Sequence, residues 1–162
     1  MNLRLEQQRI FDDERFDPPH GYVELSEQDQ KVRHIFEHTA GAMGKLAIGS
    51  VTTIKSEVIP DLAIYRTQLI NEFDIDPEDV ISRTYPGLYL PWQALGRALL
   101  NLKSYIEPRE HGEVTLEENI PRAASYLHDA AFDLAVSYDV DLEAAHLQRM
   151  ESQMGISFTD IS

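Results

Sequence analysis

A chain of 162 residues can bury one sizeable core, so one domain, or two small half-domains sharing a core, is expected. It contains no cysteine, which removes disulfide frameworks, thiol nucleophiles, iron–sulfur clusters and cysteine-bound zinc together. Its 28 acidic residues against 14 Lys and Arg give a formal charge of -14, which argues against wrapping a nucleic acid duplex, where clustered positive charge is needed.

The N-terminal MNLRLEQQRIFDDERF is too charged for a signal peptide, and no apolar run approaches the roughly 18 residues of a membrane span. The expectation is a cytoplasmic protein with no membrane partner. Leu3, Leu5, Ile10 and Phe11 among charges predict a helix over 3–16, ended by the loop Asp17-Pro18-Pro19-His20-Gly21. Ser26-Glu-Gln-Asp29 has the spacing of a capping box with Asp in the usual Glu/Gln place. Val32, Ile35, Phe36, Thr39, Met43, Leu46 and Ala47 then recur at helical spacing, predicting a helix over 27–47. A third helix is expected over 57–73, with Pro60 in its first turn or kinking it, and Asp76-Pro77 starts another by an N-cap aspartate and proline at N1.

YPGLYLP, 85–91, reads as a linker. Residues 92–106 and 121–138 are apolar and periodic, Pro108 to Gly112 reads as a loop, and Asp141 opens a last helix through Met150. No strand-like alternation competes, so the fold class is all-α. Trp92 and the tyrosines Tyr85, Tyr89, Tyr105, Tyr126 and Tyr138 are expected in the core.

Two short metal-like motifs arise on these helices. His34-Ile-Phe-Glu37-His38 spells H-x-x-E-H, in which two histidines would hold zinc with Glu113 or Glu117 as a third ligand. A peptidase cleft of that type needs a much larger chain, so a surface His pair with Glu37 making local contacts is expected. Glu143-x-x-His146 has the spacing used in di-iron bundles, but no second E-x-x-H accompanies it, and a solvated helix is expected there. There is no glycine-rich phosphate loop and no nucleophile elbow.

Compared with itself, the chain repeats. Ala42-Met-Gly-Lys45 recurs as Ala94-Leu-Gly-Arg97, EVIPDLAIY (57–65) as ENIPRAASY (118–126), and FDIDPEDV (73–80) as YDVDLEAA (138–145), in the same order. This divides the chain into a first repeat with its N-terminal helix over 1–84, a linker over 85–91 and a second, degenerate repeat over 92–162, with one shared core.

The segment PDLAIYRTQLINEFDIDPEDV, 60–80, resembles a run found in the MazG-like all-α nucleoside triphosphate pyrophosphohydrolases, and DLAVSYDVDLEAAHLQRM, 133–150, resembles it more loosely. The resemblance implies an all-helical bundle, helped by homo-oligomerisation in the family, in which paired carboxylates hold magnesium against a triphosphate. Carried over residue by residue, the motif glutamates of E-x-G-E-L become Ala42 and Lys45 in the first half and Ala94 and Arg97 in the second. The E-x-x-D becomes Val58-x-x-Asp61, with Glu57 one place away.

The resemblance therefore implies a MazG-like nucleotide-binding protein with at most residual pyrophosphohydrolase activity. Lys45, Arg97 and His38 are the candidate contacts to a nucleotide or other phosphorylated small molecule. Glu37, Glu57 and Asp61 are the candidate metal residues, and no cofactor is expected unless magnesium serves a remaining hydrolysis. Lys45 and Arg97 would partly replace the metal's charge opposite a phosphate, or else lie on solvated helix faces. The alternative from another class is a non-catalytic helical scaffold or protein-interaction module.

Overall fold

The computed structural model describes residues 23–85, 87–155 and 157, and all the regular structure among them is helical. The helix expected over 3–16 and its closing loop lie outside the described residues. The elements are α1 (Glu27–Ile48), α2 (Val51–Thr53), a π-helical turn (Ile54–Val58), α3 (Ile59–Glu72), α4 (Pro77–Ser82), α5 (Pro91–Glu110), α6 (Asn119–Ser137) and α7 (Leu142–Met154).

At the start of α1, Ser26 Oγ accepts the Asp29 amide at 3.1 Å, which is the first half of a capping box. The Asp29 side chain turns inward instead of closing the box. It accepts a 3.0 Å hydrogen bond from the Tyr105 hydroxyl, and Arg109 Nε lies 3.4 Å from the same oxygen. Tyr105 is fully buried, with the Arg109 guanidinium 5.0 Å from its ring centre. Burial, then the bond to Asp29, push its phenol up to about 12. One acidic side chain thus fastens the start of α1 to the last turns of α5.

The helix expected to begin at 57 begins earlier, with Ser50 as N-cap accepting the Thr53 amide at 3.1 Å. Pro60 lies well inside this continuous helical segment and is buried. In a regular helix its ring would press on the carbonyl four residues back. The wider π turn just before it, where the Ile59 amide reaches Ile54 O, loosens the ladder at that point and lets the chain continue. A similar correction applies at Pro108, where a loop was expected: α5 runs on to Glu110. The carbonyl that Pro108 leaves unmet, Ser104 O, accepts instead from Thr115 Oγ1 at 3.1 Å.

Two corners share one conformation. Phe73-Asp74-Ile75-Asp76 and Tyr138-Asp139-Val140-Asp141 both place their first aspartate in the left-handed region, φ 50° at Asp74 and 53° at Asp139. Each closes the preceding helix through equivalent amides, Ile75 to Ile70 O at 3.0 Å and Val140 to Ala135 O at 2.8 Å. Each then opens the next helix with its second aspartate, Asp76 capping the Glu78 amide and Asp141 the Ala144 amide, both at 3.0 Å. These are the phrases that recur in the sequence.

A single continuous core joins α1, α3, α4, α5 and α6, with Leu62, Leu69, Leu95, Leu102, Tyr105, Ile120 and Leu127 fully buried. The α5–α6 hairpin forms its centre, α1 packs on α5, and α3 packs on α6. Buried Ala123, Ala124, Ala130 and Ala131 keep α6 thin enough for α3 and α5 to approach it together. By contrast, α7 lies across α3 and contributes no fully buried residue.

The aromatic residues divide. Tyr105 is in the core and Tyr89, Tyr126 and Tyr138 pack against it, but Tyr85 and Trp92 are exposed, against expectation. The linker hugs the outside of α6, where the Tyr85 amide meets Asp129 Oδ2 at 3.4 Å and the Gly87 amide meets Asp133 Oδ2 at 3.3 Å, so side chains on its far side face outward. No described helix is long and apolar enough to cross a membrane.

Candidate functional site

A cleft of about 340 Å³ opens between α1, α3 and α7. Helical spacing aims its walls: Glu37, His38, Ala42 and Lys45 lie on one face of α1, and Asp61 and Tyr65, four apart, on one face of α3. Arg149 of α7 closes the third side. Four of the six residues singled out in the sequence, Glu37, His38, Lys45 and Asp61, meet here. Glu57, from the π turn, reaches the rim and bonds Lys45 Nζ at 2.6 Å.

Charge in the cleft is paired. Arg149 grips Asp61 with both arms, Nε to Oδ1 at 2.8 Å and Nη2 to Oδ2 at 3.3 Å. The Asp61 side chain is only 9% exposed and that of Arg149 24%, so this pair is well shielded from water. The bond to Asp61 strengthens the hold of the Arg149 guanidinium on its proton. Lys45 in turn holds the exposed Glu57 carboxyl below its usual range. Tyr65 is half-buried, and its phenol is pushed up to about 12 by burial and then by the Asp61 charge.

Aromatic rings face the cleft from two helices, His38 on α1 and Tyr65 on α3. His38 tilts against His34 at 4.0 Å between ring centres and against Tyr65 at 5.9 Å. The histidines of the H-x-x-E-H pattern are thus tilted neighbours along α1, while Glu37 lies 3.6 Å from Arg33 one turn back.

Arg97 is elsewhere. Its guanidinium lies over the Tyr89 ring at 4.3 Å and near Tyr126 at 5.9 Å, beside the linker. Equivalent positions in the sequence repeat therefore do not share one site: rings of the linker and of α6 hold Arg97, whereas Lys45 lines the cleft.

The carboxylates do not assemble for a metal. Glu57 and Asp61 are each committed to a cation, and among the described residues no group of three or more His, Asp or Glu side chains is placed to hold an ion. Glu37, Glu57 and Asp61 thus do not fit as a magnesium set, nor His34 and His38 with Glu113 or Glu117 as a zinc set. Compared with known proteins, the chain matches no family model, no curated protein and no solved structure.

Sequence reasoning missed Arg149 and Tyr65 as parts of the site. Tyr65 carried a signal, since it stands four residues after Asp61 and shares its helix face. Arg149 carried none, because its partner is 88 positions away and only the packing of α7 on α3 joins them.

Proposed function

We propose that the cleft between α1, α3 and α7 holds a phosphorylated small molecule, a nucleotide in the reading that the MazG-like resemblance carries, without turning it over. The observation that supports this is the convergence of Lys45 and Arg149 on one cleft with His38 and Tyr65 along its wall. A phosphate would compete with Glu57 for Lys45 and with Asp61 for Arg149, offering each cation a more highly charged acceptor with several oxygens. The flat faces of His38 and Tyr65 suit a base or sugar beside it. Because both carboxylates must first be displaced, binding is expected to be modest and to weaken with salt.

Silence in catalysis follows from the same pairing. Magnesium needs several free oxygen ligands, and a cation beside each carboxylate opposes its entry by charge repulsion as well as by occupying the oxygens. The test is one panel of ribo- and deoxyribonucleoside triphosphates, with and without magnesium, read by thermal shift and by pyrophosphate release. The expected result is stabilisation by one or more nucleotides, lost in Lys45→Ala, with no release of pyrophosphate. Efficient magnesium-dependent hydrolysis abolished by Asp61→Ala would overturn the proposal.

A second reading, an interaction module, draws on a different place. Leu88, Leu90, Trp92 and Leu100 are exposed along the linker and the outer side of α5. No thermal shift with any nucleotide would favour this reading over the first.

A further inference from the structure

Behind the cleft, where α3, α6 and α7 meet, a second polar cluster is half-buried. Arg66 of α3 donates from Nη1 to His128 Nδ1 of α6 at 2.8 Å, and from Nη2 to Thr67 Oγ1 at 3.3 Å. A guanidinium can only donate, so His128 Nδ1 accepts and this ring is neutral. From α7, His146 feels the Arg66 charge, and its Nε2 is buried without a hydrogen-bond partner among the described residues. Among the described residues no carboxylate forms an ion pair with Arg66. Glu143 of α7 attracts it from farther away, and Asp133 of α6 acts in the same way on His128.

The helix that carries His146 is the most weakly seated of the long ones. Every other long helix buries several side chains completely, whereas α7 buries none and is tied to α3 by the Arg149–Asp61 pair. Its seat is therefore polar, and two of the polar groups at that seat are imidazoles facing an arginine.

We propose that α7 is an acid-releasable strap: protonation of His128 and His146 places two further positive charges beside Arg66, breaks the Arg66–His128 hydrogen bond, and lifts the helix that holds Arg149 against Asp61. Asp133 and Glu143 temper this repulsion without meeting Arg66 directly, and the Arg149–Asp61 pair is the attraction that release must overcome. Burial, then the Arg66 charge, hold both imidazoles below their ordinary value, so release belongs to the acidic side of about pH 6.5. Lifting α7 opens the third side of the cleft and uncovers Asp61 and Tyr65, whatever the cleft itself binds.

The experiment is hydrogen exchange read by mass spectrometry on the full chain at about pH 7.5 and about pH 5.5, corrected for the pH dependence of the chemical exchange rate. The expected result is a several-fold loss of protection across Leu142–Met154 at the lower pH, with α5 and α6 little changed. The double variant His128→Gln/His146→Gln, which keeps side-chain amides but cannot be charged, should lose this step. Arg149→Gln should loosen α7 at both pH values and leave the step in place. An α7 step that persists in the double variant, or equal loss across all the helices, would overturn the proposal. Should the double variant fail to fold by circular dichroism, the wild-type protein still decides: the imidazole NMR titrations of His128 and His146 must coincide with the loss of α7 protection, and a mismatch refutes the strap.

Discussion

Replacing Arg149 by methionine strips the Asp61 carboxylate, whose side chain is 9% exposed in the native protein, of both its guanidinium bonds. Removing one partner of a fully buried pair costs about 3–5 kcal/mol. Here Arg149 is 24% exposed and water can enter where its head group lay, so we expect about 2–3 kcal/mol. Asp61→Asn is milder, about 1 kcal/mol, because the guanidinium it abandons is the better-hydrated partner and the amide oxygen still accepts one bond. For a chain of this size these values correspond to losses in Tm of about 4–12 °C and about 2–4 °C. The double variant Asp61→Asn/Arg149→Met has no stranded charge and should be more stable than Arg149→Met alone, a coupling of about 1–2 kcal/mol. Urea unfolding followed by circular dichroism at neutral pH measures all four corners of this cycle. Strict additivity, or an Arg149→Met variant within about 0.5 kcal/mol of wild type, would refute the account of the pair.

Tyr105→Phe removes the hydroxyl that meets Asp29 and should cost about 1–2 kcal/mol by urea unfolding, since the carboxylate keeps only the poorly aligned Arg109. Leu102→Ala, at a fully buried site between α5 and its neighbours, should cost about 2–5 kcal/mol. His128 and His146 both have depressed folded-state values, so the unfolded chain takes up their protons first as pH falls. Their contribution is fully present above about pH 6.5 and is lost as pH falls through the folded-state values; urea midpoints for wild type and for the double His→Gln variant should diverge on that limb only. Asp74→Gly and Asp139→Gly should shift stability in the same direction and by amounts equal within about 0.5 kcal/mol, because their backbone conformations match; opposite signs would show that the two corners are alike in shape alone.

The helices were legible because their signals are local. Ser26, Asp76 and Asp141 cap amides two or three residues away, and the apolar spacing of 32–46 needs no knowledge of the rest of the chain. Pro108 misled because a proline is read as a break unless its neighbours rearrange, and the hydroxyl of Thr115 at Ser104 O is such a rearrangement; Pro60 was expected in a first turn or at a kink, and what the sequence hid was the π turn that carries the helical segment back to Ser50. The site was partly legible, since Glu37, His38 and Lys45 share a face of α1 by arithmetic. Their partners were not: Arg149 reaches Asp61 through tertiary packing, and Arg97 is diverted by the rings of Tyr89 and Tyr126, one of which belongs to another helix.

The contact between Asp29 and Tyr105 has a consequence for the order in which the chain is made. The two residues are 76 positions apart, so this contact, unlike the bond from Gln28 Nε2 to Glu72 O, cannot form until α5 has been synthesised. Closing so long a loop is entropically dear, whereas the corners at 73–76 and 138–141 close through amides and carbonyls five residues apart or fewer. The corners thus need only local contacts, whereas the Asp29 carboxylate has no hydroxyl partner until α5 is present. That carboxylate leaves water only when α5 brings the Tyr105 hydroxyl against it.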